Sequence, residues 1–456
     1  MKIQSFSKRT PGGLAAAASA ALLLVAPIGA WAQARIDGIG GTSFTFTTGT
    51  GEISTPDGGV FQIWGYQDTT GTANPFGVPQ YPGPTLILNQ GDTLTISLTS
   101  GLPDGHCTSM VFPGHAVTVT LGSGDQDGLL TRETCPGGTP VEYSFTATEP
   151  GTYTYYSGTE PELQIEMGLI GAIIVRPSMG EDYAYNNAGT QFDHEYLFLM
   201  TQMDPEVHNL VEQHDYAGAN DKLATDYWPV YWFFNGRAGP DDLAEPFVSW
   251  LPHQPYNCAP RMSPGQKLLM RLVGGDQGQH PFHYHGNNAD IIARDGRLLD
   301  HSRSQFTTLS VPGETVDQIF QWTGEKLGWD IYGTLADGMP SHPCNGVALT
   351  PGCEAAGTCG SDGFDPVTHE YCPDHGKAFP VVLPELQNLA FGGWWSGSPY
   401  MGTGGDLPPG EGGLNPYSGY FFMWHSHAEK ELTNWDIFPG GMMSMMVVEP
   451  PGTPIP

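Results

Sequence analysis

The chain has 456 residues, with 17 Lys plus Arg against 48 Asp plus Glu, which gives a formal net charge of −31 at pH 7. A chain this acidic excludes binding along nucleic acid or to an anionic membrane, because both partners require a positively charged face. The 62 glycines and 40 prolines indicate many turns, while an aromatic content of 11% argues against a disordered chain. The composition predicts short strands and frequent turns in two or three domains.

The first 32 residues have the organisation of an export signal. A positively charged segment (residues 2–9) precedes a short apolar run (residues 14–30), and Ala30-Trp31-Ala32 matches a cleavage site. A membrane anchor is the alternative, but the run is short, and no later segment reaches the roughly 20 apolar residues that a span needs. The sequence therefore predicts a signal peptide at residues 1–32, no membrane span, and a secreted, periplasmic or extracellular location. The export route stays open.

All seven cysteines follow the predicted signal, and an exported chain can keep disulfides. Cys107 and Cys135 could close one loop in the first domain, and Cys258 makes the total odd. The remaining four lack the C-x-x-C spacing that is common in zinc sites, which favours disulfides over a metal among them. These four are Cys344, Cys353, Cys359 and Cys372.

Residues 36–178 are typical of short strands separated by turns. Thr93 to Leu98 alternates polar and apolar residues, as a strand with one buried face does, and Asn89-Gln90-Gly91-Asp92 predicts the turn before it. No segment shows an apolar period of 3.6 residues over several turns. The pattern predicts a first all-β domain over residues 36–178, either a β-sandwich or a β-barrel. Its other predicted strands lie at residues 63–66, 85–88, 141–147, 151–156 and 171–175.

A polar, turn-rich segment at residues 179–193 is the predicted linker to a second domain, residues 194–456. The rhythm of strand, turn and Pro-Gly recurs there, which indicates a duplicated sandwich. Residues from about 335 to 418 are rich in Gly, Pro and Cys, and predict an insertion held by disulfides. The predicted strands of this domain lie at residues 195–200, 267–273, 315–322, 420–425 and 444–448.

Two histidine-rich segments lie in the second domain, at residues 280–286 (HPFHYHG) and 425–427 (HSH). Residues i and i+2 of a strand share a face, so His283 and His285 point to one side, as do His425 and His427. A chance pair on a solvated strand is the alternative, but two pairs plus His280 within apolar strands favour a metal site. Imidazoles from two neighbouring strands could converge on one metal or a metal pair, and imidazole suits copper, zinc, iron and nickel.

These segments resemble the copper motifs of the multicopper oxidase family, which includes laccases. Residues 280–286 are similar to its H-P-x-H-x-H-G motif, and residues 425–427 to its closing H-C-H motif, which a Gly-Met pair follows as at Gly441-Met442. Residues 81–85, 91–94, 151–157, 168–175, 234–237 and 311–314 resemble further family segments. The resemblance covers nearly the whole chain after the signal, except residues about 335–418. It implies an all-β chain of two cupredoxin-like Greek-key β-sandwich domains, with copper as cofactor.

The chain departs from the family at the blue-copper site, which takes up electrons one at a time. Ser426 stands where the family has its cysteine ligand, and Glu431 falls where a second histidine is expected. His280 and, with a longer loop, Met442 match the other two ligands. A hydroxyl does not replace a thiolate in bonding to copper, so we expect no blue copper.

The first domain has also lost copper ligands that the family uses for its trinuclear cluster. The family's H-W-H-G is Val111-Phe112-Pro113-Gly114 here, and its Y-H-S-H is Tyr155-Tyr156-Ser157-Gly158, which leaves His115 as the nearby imidazole. We therefore expect a mononuclear or dinuclear copper site in the second domain; histidines retained as vestigial core residues are the alternative. The candidate ligands are His283, His285, His425, His427, His280, His115 and Met442.

The resemblance implies an exported copper oxidoreductase in which electrons pass directly between the substrate and histidine-bound copper. The electron donor would be a small molecule, such as a phenol, or a metal ion, and dioxygen is the candidate oxidant. Two-domain members of the family often form trimers, so a homotrimer is one option. Two alternatives stay open: a non-catalytic copper-binding or sequestering protein, and a structural cell-surface protein on the same scaffold, because a fold does not fix a function.

Overall fold

The computed structural model describes residues 35–121, 126–128, 130–325, 363–365, 368–374, 420–449 and 453–455. The predicted signal peptide lies outside these residues, as does most of the predicted insertion at 335–418. The expected disulfide between Cys107 and Cys135 is confirmed, and Cys258 is a free, buried thiol. Cys372 is disulfide-bonded, while the other three cysteines of the insertion lie outside the described residues.

Within the described residues, the first sandwich has two main sheets, with strand orders β1-β4-β11-β10 and β3-β2-β5-β9-β6, and a small β7-β8 ribbon. Sheet neighbours are mostly not consecutive along the chain, so the connections cross between sheets. The strands are β1 (Ile39–Gly40), β2 (Ser43–Ser54), β3 (Val60–Asp68), β4 (Leu86–Asn89), β5 (Thr93–Thr99), β6 (Thr118–Leu121), β7 (Gln126–Asp127), β8 (Arg132–Glu133), β9 (Val141–Thr146), β10 (Gly151–Tyr156) and β11 (Ile170–Arg176).

The second sandwich also has two sheets, with strand orders β13-β12-β15-β20-β17-β18 and β14-β22-β21-β16-β19. The expected all-β fold of two sandwiches is thus confirmed, while the exact domain boundaries stay a prediction. The strands are β12 (His194–Met203), β13 (Tyr231–Phe234), β14 (Arg261–Met262), β15 (Lys267–Gly274), β16 (His280–Tyr284), β17 (Ala289–Arg294), β18 (Arg297–Gln305), β19 (Thr307–Ser310), β20 (Thr315–Gln321), β21 (Tyr420–Ser426) and β22 (Met443–Val448).

Burial along the strands follows their sequence patterns. The alternating β5 buries every second residue, as predicted. The continuously apolar β11 is buried along its whole length. Its Ile173 and Val175 belong to the core of the first sandwich, while Ala172 and Ile174 pack against apolar residues of β12 and β15. One strand thus contributes to both sandwiches and joins them through apolar contact.

Three α-helices interrupt the strands of the described chain: α1 (Pro161–Glu166), α2 (Pro205–Glu212) and α3 (Tyr216–Thr225). The Asp204 carboxylate accepts a hydrogen bond from the Glu206 amide and caps α2. Although α2 and α3 follow β12, their buried residues join the core of the first sandwich. No described helix combines the length and apolar character needed to cross a membrane. Short 3-10 helices lie at Pro103–Gly105, Ala188–Thr190, Asp241–Leu243, Cys372–Asp374 and Glu429–Leu432.

A buried polar network also connects the two sandwiches. The fully buried Arg271 of β15 donates from Nε to Glu195 Oε2 at 3.0 Å, and Glu195 also pairs with Arg176 of β11. Arg271 Nη1 donates to Thr152 Oγ1 of β10 at 3.0 Å and lies 3.6 Å from Asp317 of β20. Buried charges require such partners, because each alone would have a large desolvation cost. The network fixes the sheet that packs over the histidine-bearing strands.

Candidate metal centre

The two histidine-rich segments lie on adjacent antiparallel strands, β16 and β21. Their register pairs His283 directly with His425, and Tyr284 with Trp424. Directly opposed residues share a sheet face, so this register places His283, His285 and His425 on one side. Trp424 Nε1 donates to the His285 carbonyl at 3.0 Å from the opposite face. The apolar residues between the histidines pack into the core and hold this register.

Three imidazoles converge where these strands meet. One possible ligand atom from each of His283, His285 and His425 lies within 4.8 Å of the other two. The Nε2 atoms of His285 and His425 are 3.3 Å apart. All three side chains are buried, with exposed fractions of 6%, 3% and 4%. We call this set the trihistidine centre.

Neighbouring groups orient the rings of the trihistidine centre. His425 Nδ1 donates to the carbonyl of Ser426 at 2.6 Å, so the proton of a neutral ring lies on Nδ1 and the Nε2 lone pair faces His285. His283 Nδ1 lies 2.8 Å from Thr307 Oγ1 of β19. Such contacts to the second ring nitrogen are how proteins fix the orientation of metal-binding histidines.

The protonation state of the centre suits metal binding. Burial, with a further contribution from the neighbouring histidines, lowers the pKa of His283 to about 4 and that of His285 to about 2. Burial also lowers the pKa of His425 to about 4. All three rings are therefore neutral near pH 7 and retain lone pairs for a metal. Copper is among the metals that such imidazole ligands bind, so the donor set fits it.

His427 lies beside the trihistidine centre rather than within it. Its ring is 4.9 Å from that of His283 and 5.3 Å from that of His425, measured between centroids. Its side chain is 52% exposed, and its Nδ1 lies 3.2 Å from Glu429 Oε1. His427 therefore forms the solvent side of the centre, within reach of a bound metal or substrate.

His280 has different surroundings, because it lies on the other face of β16. Its Nδ1 is 2.9 Å from Glu431 Oε2, and its Nε2 is 3.0 Å from Asp276 Oδ2. Burial alone would lower its pKa, but the two carboxylates outweigh burial and raise the pKa to about 10. Ser426 Oγ donates to the same Glu431 oxygen at 2.5 Å. The structure does not bring His280 into the trihistidine centre.

Met442 and His115 are also outside the trihistidine centre. Met442 is buried, and its backbone bonds to Glu431 and Ser426. His115 lies in the first sandwich, between the rings of Phe145 at 4.3 Å and Tyr153 at 4.4 Å. Burial lowers the pKa of His115 to about 4. Among the described residues, the group of potential metal ligands contains His283, His285 and His425 and not His115.

Comparison with known proteins shows similarity to multicopper oxidases. A family model described as multicopper oxidase matches residues 70–180. An L-ascorbate oxidase from Cucurbita pepo var. melopepo is 33% identical over 112 residues, which are 24% of this chain and 19% of that protein. A putative laccase-11 from Oryza sativa subsp. japonica is 22% identical over 290 residues, 61% of this chain and 46% of that protein. Residues 70–180 thus match the multicopper oxidase family, and the chain is similar to proteins of that family. Members of this family bind copper.

The fold of the chain is also similar to that of solved multicopper oxidases. Blue copper oxidase from Nitrosomonas europaea superposes with a TM-score of 0.52 at 16% identity, covering 89% of this chain and 85% of that chain. A multicopper oxidase named mgLAC gives a TM-score of 0.51 at 16% identity, covering 91% and 88%. The cupredoxin-like fold expected from the sequence is thus confirmed. The chain matches less than half the length of the curated relatives above.

Two residues at the histidine-bearing strands were not anticipated from the sequence. Asp276 precedes His280 by four residues, in the loop after β15, and Thr307 begins β19. The loop sequence gives no sign that Asp276 turns back towards His280. Thr307 reaches His283 only because β19 pairs with β16 in a register that the sequence does not encode locally. Neither residue forms a spacing motif with the histidines.

Proposed function

We propose that the protein is an exported copper-dependent oxidoreductase with one mononuclear copper site, held by His283, His285 and His425. The observation that carries this proposal is the convergence of three buried, neutral imidazoles within 4.8 Å. Bound copper would supply one-electron redox chemistry and Lewis acidity. The partly exposed imidazole of His427 beside the three buried ones supports a centre that a small molecule could approach from solvent.

The chain's own residues would prepare this centre for exchange with solvent. The Ser426 carbonyl and Thr307 hydroxyl hold the rings of His425 and His283, so these two rings are already oriented before metal binds. His427, at the solvent side, could form a hydrogen bond to a molecule bound there, because its side chain is partly exposed. The buried residues beneath the rings exclude water from the other side.

We propose a small molecule or a metal ion as electron donor and dioxygen as oxidant. The net charge of −31 raises the local concentration of cations and disfavours anionic donors. A neutral phenol or a metal cation is therefore a better donor than a carboxylate or a phosphate ester. Family resemblance also supports export by the segment at residues 1–32. It supports a homotrimer as well, and the mass of the protein in solution would test that oligomeric state.

Copper loading and oxygen uptake together test the proposed function. We expect one copper per chain in wild type, and loss of both copper and donor-dependent oxygen uptake in His283→Ala. His301→Ala is the matched control, because His301 is an exposed histidine on β18 of the same sandwich. Absence of copper from loaded wild type would contradict the proposal. If wild type binds one copper per chain but takes up no oxygen with phenol or metal-ion donors, the copper site would be supported and the oxidoreductase activity contradicted.

A further inference from the structure

The buried surroundings of His280 determine its protonation by hydrogen-bond geometry. Carboxylate oxygens only accept hydrogen bonds, and each ring nitrogen of His280 faces one: Glu431 at Nδ1 and Asp276 at Nε2. Both nitrogens must therefore donate, which requires the imidazolium form. An imidazolium has no lone pair for a metal. The exposed fraction of His280 is 0%, so water cannot replace either partner easily.

The contacts of Glu431 and Ser426 also favour the imidazolium form of His280. Glu431 Oε2 accepts hydrogen bonds from both His280 Nδ1, at 2.9 Å, and Ser426 Oγ, at 2.5 Å. The positions that resemble the family's blue-copper ligands thus hold a cation, a hydroxyl and a carboxylate that are already bonded to one another. The donor set does not fit blue copper, because it lacks a thiolate and its one imidazole is occupied.

Glu431 also connects the two strands that supply the trihistidine centre. His280 begins β16, three residues before His283, and Ser426 ends β21 between His425 and His427. A single carboxylate oxygen therefore ties together both ligand strands from the face opposite the centre. Displacing it would release the end of β21 and the carbonyl of Ser426, which orients His425.

We propose that Asp276, His280, Glu431 and Ser426 form a metal-free, ion-paired centre in place of the family's blue copper, and that Glu431 is a positioning residue for the trihistidine centre. The ion-paired centre stands independently of the proposed function. The positioning role of Glu431 rests on the proposed function, because the measurement that tests this role is the copper affinity of the trihistidine centre. Electrons cannot pass through this position by a change of copper oxidation state, so the donor must approach the trihistidine centre itself.

The ion-paired centre is tested in two ways that need no copper at the trihistidine centre. In metal-free protein with nitrogen-15 histidine, we expect both ring nitrogens of His280 to be protonated at pH 8; one protonated nitrogen would overturn the proposal. In Ser426→Cys, we expect copper(II) to give no intense thiolate–copper absorption, because His280 stays held by its carboxylates. A blue Ser426→Cys protein would equally overturn it. The nuclear magnetic resonance result decides the question if this variant does not fold.

The positioning role is tested by Glu431→Gln, with Glu212→Gln as matched control because Glu212 is exposed on α2. We expect Glu431→Gln to weaken copper binding by about 10- to 100-fold, the usual effect of a lost outer partner. His280 should lose one ring proton at pH 8 in this variant alone. Unchanged copper affinity would overturn the positioning role. Absence of copper binding in wild type would instead contradict the proposed function and leave the ion-paired centre standing.

Discussion

Arg271 and Glu195 form an ion pair that is closed to solvent, with 3.0 Å between Nε and Oε2. Glu195 also neutralises Arg176, so Glu195→Ala would leave two buried guanidinium groups without their shared carboxylate. We expect this variant to lose about 3–5 kcal/mol of unfolding free energy in urea titrations. The control is Glu206→Ala, whose exposed pair with Lys222 should be worth less than about 1 kcal/mol. Equal losses in the two variants would contradict the role of the buried pair.

His285 and His427 differ in their exposure to solvent, and we therefore expect them to contribute unequally to copper affinity. His285 is buried and faces His425 Nε2 at 3.3 Å, whereas His427 is half exposed at the rim. His285→Ala should reduce copper affinity more than about 100-fold, and His427→Ala less than about 10-fold, which is the lower bound for outer partners. Competition with a coloured copper chelator measures both. A larger loss in His427→Ala would show that the metal lies nearer the surface than the three buried rings.

The disulfide between Cys107 and Cys135 closes a loop with a sequence separation of 28. Loss of this constraint on the unfolded chain should cost about 3–4 kcal/mol in the double variant Cys107→Ser/Cys135→Ser. Urea titration under non-reducing conditions gives the difference. Copper binding should be unchanged, because both cysteines belong to the first sandwich. A loss of copper in this variant would contradict the assignment of the centre to the second sandwich alone.

Glu166 predicts a dependence of stability on pH. Burial raises its pKa from 4.5 to about 8, despite hydrogen bonds from the Asp204 amide and Tyr227 hydroxyl. Between these values the folded chain retains a proton that the unfolded chain releases, so this group makes stability fall as pH rises. Its contribution is about 1.4 kcal/mol per pH unit at most. Glu166→Gln should flatten the curve of unfolding free energy between pH 5 and pH 8, whereas the exposed Glu212→Gln should follow wild type.

The strands and the trihistidine centre could be predicted from sequence because both depend on period-two patterns. His283 with His285, and His425 with a neighbouring histidine, share faces by strand geometry alone. The longest described helix, α3, was missed for the opposite reason. Among the ten residues of α3 only Ala219 is buried, so there is no apolar period to detect. Side-chain caps, such as Asp215 to the Gly218 amide, support such a helix.

The environment of each histidine could not be read from its neighbours in sequence. His280 and His283 belong to one motif, yet they lie on opposite faces of β16 and have opposite pKa shifts. The difference comes from Asp276, in the loop after β15, and Glu431, in the 3-10 helix Glu429–Leu432. His115 likewise comes directly after the segment that corresponds to a family motif. It packs between aromatic rings of the first sandwich rather than beside the second-domain histidines.

The pairing of β16 with β21 would make metal uptake at the proposed site a late and stabilising event. His285 and His425 are 140 residues apart in the chain, so an unfolded chain cannot present these ligands together. A metal that binds only the folded chain stabilises it by mass action, by about 2.7 kcal/mol at a free concentration of 100 times Kd. Copper would then hold distant parts of the chain together, and the metal-loaded protein should unfold at a higher temperature than the metal-free protein.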